Sequence, residues 1–234
     1  KKEQTKDFIT NEFLNYFKKN IAIPKTEITA PNISLNFTFS LKTKTEIGII
    51  ITGLIEEIRS KFPIQSKNIN HEKDQYNYGK YMSVLDKDER RRLLKPHIVD
   101  NKNINWAHIA LACLMEAGYI QRVLTFNFDS ILSRACNMLG LHPSIYDFAT
   151  ANPHLYHLIN DPSIVHLHGQ GTGFVQLNTE DETGEIHTEK LGNFIASTLN
   201  SNPSLFIGYS GNADAFFPLL EEKYSEQHRL IWTG

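Results

Sequence analysis

Apolar positions along this chain recur with two periods, and the switches between them divide it into elements. Ile33–Phe39 alternates Ile, Leu, Phe and Phe with Ser, Asn and Thr, which predicts a strand. Short apolar runs predict further strands at Arg122–Phe126, Ile164–Leu167, Leu205–Ile207 and Arg229–Trp232. Helical spacing marks Thr5–Lys19, Gly48–Phe62 and Asn105–Gly118, the second stopped by Pro63 and the third capped by Asn105. Asp129–Leu139, Leu191–Leu199 and Ala213–Tyr224 follow the same rule, with Gly140 closing the first of these. Pro24 and Pro31 interrupt the stretch between the first helix and the first strand.

Short apolar strands alternating with helices predict an α/β fold, a Rossmann-like parallel sheet with helices on both faces. From about residue 64 to 104 the chain is polar and rich in Asn, Lys and Tyr, with a short helix at Asp86–Leu94. This stretch reads as a small helical insertion within one domain over 1–234. The triplet Arg90-Arg91-Arg92 is balanced by Asp86, Asp88 and Glu89 and reads as a solvated helix face. The acidic stretch Thr179–Glu182 reads as a solvated loop.

Composition narrows the possibilities. Hydrophobic residues make up 41% of 234, enough for a sizeable core, and the length suits one large domain at about 150 residues per domain. With 24 basic and 26 acidic residues no global positive field draws in nucleic acid, and direct nucleic-acid binding is not expected. No apolar run reaches the ~18 residues of a membrane span, and the N-terminal stretch lacks the apolar segment of a signal peptide. Cys113 and Cys136 are too few for a disulfide framework. The expectation is a cytoplasmic protein, ending on a strand as a fragment of a longer one does.

Ligands of an open α/β sheet bind beyond the carboxyl ends of its strands. Three predicted strand ends carry polar or small residues: Thr125-Phe126-Asn127-Phe128-Asp129, His166-Leu167-His168-Gly169 and Gly208-Tyr209-Ser210-Gly211-Asn212-Ala213-Asp214. Taken singly each has a plain reading. Asn127 and Asp129 suit helix caps, His168 a loop histidine, and Gly208–Gly211 a tight turn into a helix whose first turn Asp214 stabilises. Their convergence on one crevice favours a site. The His166-x-His168 pair lacks a third ligand at metal spacing, so no metal is expected. An aspartyl-phosphatase reading fails because Asn127 would occupy the nucleophile position, and an amide does not attack phosphorus.

These segments resemble the SIR2-like (sirtuin) superfamily. Thr125–Asp129 is similar to its T-x-N-x-D motif and His168-Gly169 to its catalytic His-Gly, with Asn127 and His168 forty-one positions apart. Gly208-Tyr209-Ser210…Asp214 and the ending Ile231-Trp232 resemble SIR2-like domains of prokaryotic antiviral-defence proteins. Two cysteines cannot build the zinc module of protein-deacetylating sirtuins, so the NAD⁺-hydrolysing defence members are the nearer comparison. The resemblance implies NAD⁺ as substrate rather than cofactor, and cleavage to nicotinamide and ADP-ribose. It implies Asn127 and His168 as catalytic residues. Ser40, Thr125, Asp129, Gly169, Gly208, Ser210 and Asp214 are implied to bind the dinucleotide. A homo-oligomer or a larger defence complex is implied as well. One departure motivates an alternative. The family's glycine-rich loop corresponds to Asn36-Phe37-Thr38-Phe39-Ser40, where both glycines are missing, as in a catalytically weak module that binds a nucleotide or drives self-assembly.

Overall fold

The computed structural model describes residues 34–37, 44–69, 77–100, 103–179, 181–207, 216–225 and 228–233. Among the described residues six strands form one sheet: β1 (Ser34–Phe37), β2 (Arg122–Thr125), β3 (Ser144–Asp147), β4 (Ser163–His166), β5 (Ser204–Ile207) and β6 (Leu230–Thr233). Their order is β3-β4-β2-β1-β5-β6, and each adjacent pair is parallel. The described α-helices are α1 (Lys44–Lys61), α2 (Tyr78–Ser83), α3 (Lys87–Ile98), α4 (Trp106–Glu116), α5 (Ile131–Met138), α6 (Glu185–Ser201) and α7 (Phe216–Lys223). This is the Rossmann-like α/β architecture expected. None of these helices is long and apolar enough to cross a membrane. The helix expected at Thr5–Lys19 and the Pro24–Pro31 stretch lie outside the described residues.

Side-chain alternation assigns the two faces of the sheet. Val123 and Ile164 pack with Leu111, Ala112 and Met115 of α4 and Leu132, Ala135 and Cys136 of α5. Their sequence neighbours Leu124 and Val165 point the other way, into Phe194, Ile195 and Leu199 of α6 and Leu219 and Leu220 of α7. Because both of their faces are covered, β2 and β4 read as short apolar runs rather than half-polar ones. A third cluster joins Leu54, Ile55 and Ile58 of α1 to Tyr81, Met82, Leu93 and Leu94 of α2 and α3.

The turn chemistry accounts for the element boundaries. Asn105 caps α4 by accepting from the backbone N–H groups of Ala107 and His108. Gly118 and Gly140 take positive φ (75° and 80°) just beyond α4 and α5, the left-handed stop that glycine adopts without Cβ strain. β3 was not expected. It is a four-residue edge strand behind Pro143 with no fully buried residue, too short and too exposed to give a periodic signal. Arg90 departs from the expected solvated face: it is 9% exposed and pairs with Glu182, in the loop also expected to be solvated.

Phe194 is fully buried and stacks on Phe148 with ring centroids 4.9 Å apart. Phe194→Ala is expected to lower the unfolding free energy by about 3–5 kcal/mol. Urea denaturation with an unchanged slope measures it.

Candidate active site

The last residues of the strands stand in one row. Thr233 pairs with Ile207, Ile207 with Phe37, Phe37 with Thr125, Thr125 with His166, and His166 with Asp147. The strand order reverses between β1 and β5, the position where α/β sheets open a crevice. Ser40 follows β1, and Gly208, Ser210 and Asp214 follow β5; all four lie outside the described residues. Thr125, Asn127, Asp129, His168 and Gly169 follow or close β2 and β4 and are described.

Beyond the row the two central segments leave together. Leu167 N–H donates to Thr125 O at 2.8 Å, and Gly171 N–H donates to Phe128 O at 2.6 Å. Asn127 and His168 lie within the two stretches so bracketed. Asn127 N–H donates to the Thr125 hydroxyl at 3.1 Å, a tight local turn at the end of β2. Asp129 Oδ1 accepts from Ile131 N–H at 2.9 Å, so this carboxylate anchors the start of α5.

On the α4/α5 face a small cleft is lined by His108, Thr125, Asn127, Asp129, Leu132, Ser133, Ile164 and His166. The structure thus brings Thr125, Asn127 and Asp129 together. His168 is not among the residues lining this cleft. Its ring packs on Phe126, centroids 4.6 Å apart, and Phe126 in turn packs edge-on against Phe216 at the start of α7. Gly169 follows with φ +101°, bridged to Gln176, and a Cβ there would drive into the Val175 carbonyl oxygen. Leu177 N–H donates to His168 O at 2.9 Å. A tight loop over residues 169–177 therefore holds the His-Gly pair from behind.

His166 was not among the expected site residues. It is 3% exposed, and its Nδ1 lies 2.8 Å from the backbone oxygen of Asn127. A carbonyl only accepts, so Nδ1–H donates and Nε2 is left as the acceptor nitrogen. Burial pushes the imidazole below the usual histidine range, against the opposing pull of the Asn127 bond, Asp129 and Asp147. His108 is lowered too, by burial and against Asp129. Its Nδ1 accepts from Asn105 N–H at 3.4 Å and completes the cap of α4, which makes it the hydrogen-bonded core histidine expected. Two neutral imidazoles and an amide thus share one cleft. The signal for His166 was a polar residue inside an otherwise apolar run, Ile164-Val165-His166-Leu167. Among the described residues no group of three or more His, Cys, Asp or Glu is arranged to hold a metal.

A parallel sheet with helices on both faces and polar groups gathered at its carboxyl edge is the arrangement in which open α/β domains bind their ligands. Residues 121–230, just under half of the chain, match the model of the SIR2-like domain, an NAD⁺-related family. No curated protein matches the chain.

Two outcomes are expected. His166 and His108 refuse protons that the unfolded chain accepts at about pH 6.5, so their contribution to stability is present above that pH and declines below it. Denaturation of wild type and His166→Asn between pH 7.5 and pH 5.5 checks this, because the amide keeps the donor to Asn127 but does not titrate, and its stability should fall less on acidification. Gly169→Ala combines a positive φ with a backbone collision and is expected to cost more than about 1–3 kcal/mol; thermal unfolding reads it.

Proposed function

We propose that the protein is an NAD⁺ glycohydrolase, cleaving NAD⁺ to nicotinamide and ADP-ribose. The observation that carries this reading is the paired departure of the Asn127 and His168 segments from adjacent strands, stitched on either side by Leu167 to Thr125 and Gly171 to Phe128. The match to the SIR2-like domain supports the dinucleotide as substrate.

In this reaction the bond between C1′ of the ribose and the nicotinamide nitrogen breaks. The electron pair leaves with the ring, which becomes neutral nicotinamide. The transition state is oxocarbenium-like, as in glycoside hydrolysis, and the cationic leaving group needs no strong acid. Water adds to C1′ and its proton passes to a base. Asn127 orients the water or the ribose hydroxyls through its amide. His168 suits the base: an imidazole, half-buried and steadied by the Phe126 ring. Asp129 contacts the nicotinamide carboxamide, and Thr125 and Gly169 shape the floor. Ser40, Gly208, Ser210 and Asp214 take the phosphate and adenosine side.

By the same resemblance the protein acts in the cytoplasm as an effector of antiviral defence through NAD⁺ depletion, within a homo-oligomer or a larger complex. The missing glycines at 36–40 favour a second reading, a module that binds a nucleotide with little turnover.

Nicotinamide release from NAD⁺, followed by chromatography, tests the proposal. Losing the base in His168→Ala should reduce kcat/KM by about 10²–10⁴-fold, with a loss of similar order for Asn127→Ala. Equal turnover in wild type and both variants rejects the assignment, and tight NAD⁺ binding without product selects the second reading.

A further inference from the structure

The loop behind His168 is secured by a distant part of the chain. Arg90, on α3 of the helical insertion, donates from Nη1 to Glu182 Oε1 at 2.8 Å and from Nε to Leu85 O at 2.9 Å. Glu182 uses its second oxygen to accept from Asn178 N–H at 2.9 Å. The Tyr78 hydroxyl donates to Asn178 Oδ1 at 2.8 Å, and burial pushes its pKa upward, which keeps it a protonated donor. Arg91 Nη2 donates to Gly173 O at 2.6 Å. At the end of α3, Ile98 and Val99 press on Gly171. A Cβ at 171 would collide with Ile98 Cγ2 and sit 3.2 Å from Phe128 O. One short helical unit thus grips residues 171, 173, 178 and 182 and presses the loop onto the Asn127 segment.

Glu182 carries two of these connections at once. Its carboxyl is held below the usual carboxylate range: burial works against that, and the bonds from Asn178 and Arg90 outweigh it. Charge-assisted bonds in a half-buried setting are the stronger kind, and removing one partner leaves the other desolvated without compensation.

We propose that Arg90 is a positioning residue, acting through Glu182 and the 169–178 loop to set the placement of His168 against Asn127. The role in turnover rests on the proposed NAD⁺ cleavage; the mechanical coupling does not. A base displaced by about 1 Å can cost on the order of 10²-fold in rate, so a grip on the loop that holds His168 is a grip on the reaction.

The test uses the whole chain in three variants. Arg90→Met removes the cation. Glu182→Gln keeps the shape but has one acceptor oxygen where two are needed. Arg92→Met, on the exposed side of the same helix, is the control. Hydrogen exchange is read at Leu177 N–H, bonded to His168 O, and at Gly171 N–H, bonded to Phe128 O. Both amides should exchange at least about tenfold faster in Arg90→Met and Glu182→Gln, while Ile164–His166 in β4 and the control stay unchanged. In NAD⁺ turnover kcat should fall by about tenfold or more, with KM moving less than about threefold. Unchanged exchange at both amides in Glu182→Gln, the variant least disturbing to folding, overturns the proposal. Faster exchange with unchanged kcat overturns the positioning role. A wild type inert toward NAD⁺ rejects the glycohydrolase reading, and the exchange data still decide the coupling.

Discussion

Parallel strands that end in one row create a problem their own ladder cannot solve. Past Thr125 and His166 the backbone groups have no regular neighbour, yet they sit at the edge of a buried sheet where unpaired amides are costly. Here the answer is local and asymmetric. Leu167 reaches back to Thr125, Gly171 to Phe128, Leu177 to His168, and the Asn127 amide to the Thr125 hydroxyl. Each of these bonds fixes a residue in or beside the candidate site, so satisfying the backbone and shaping that region are the same event.

The imidazole of His166 belongs to this economy. Its proton is committed to the oxygen of Asn127, which leaves the carbonyl paired and the ring uncharged in a place where charge would be costly. Asp129 does similar double service. It begins α5 through Ile131 and still lies close enough to pull on both histidines electrostatically. A carboxylate that caps a helix through one oxygen keeps the other for further partners.

Much of the fold was legible because period and punctuation agreed. Asn105, Gly118 and Gly140 delimit α4 and α5 where their chemistry demands, and the apolar runs at 122–126 and 164–167 became strands covered on both faces. Less legible was anything that depends on partners far along the chain. Arg90 and Glu182 are ninety-two positions apart, and each alone resembles an ordinary surface charge. β3 hides for a related reason: an edge strand with half-exposed side chains owes its existence to β4 rather than to its own pattern. In the site, the strand-end rule placed Asn127 and His168 on adjacent segments, whereas the side-chain directions that put one in the cleft with His166 and the other on Phe126 follow from a bend after β4 that periodicity does not encode.

The boundaries of family likeness and of mechanical integrity do not coincide in this protein. The likeness begins at residue 121, but β1, which joins β2 to β5 in mid-sheet, precedes it, as do Tyr78, Arg90 and Arg91. A polypeptide cut at that border would inherit the recognisable signature and lose both its keystone strand and its brace. Recombination that shuffles such segments between relatives would have to carry the upstream pieces along, or evolve replacements for them.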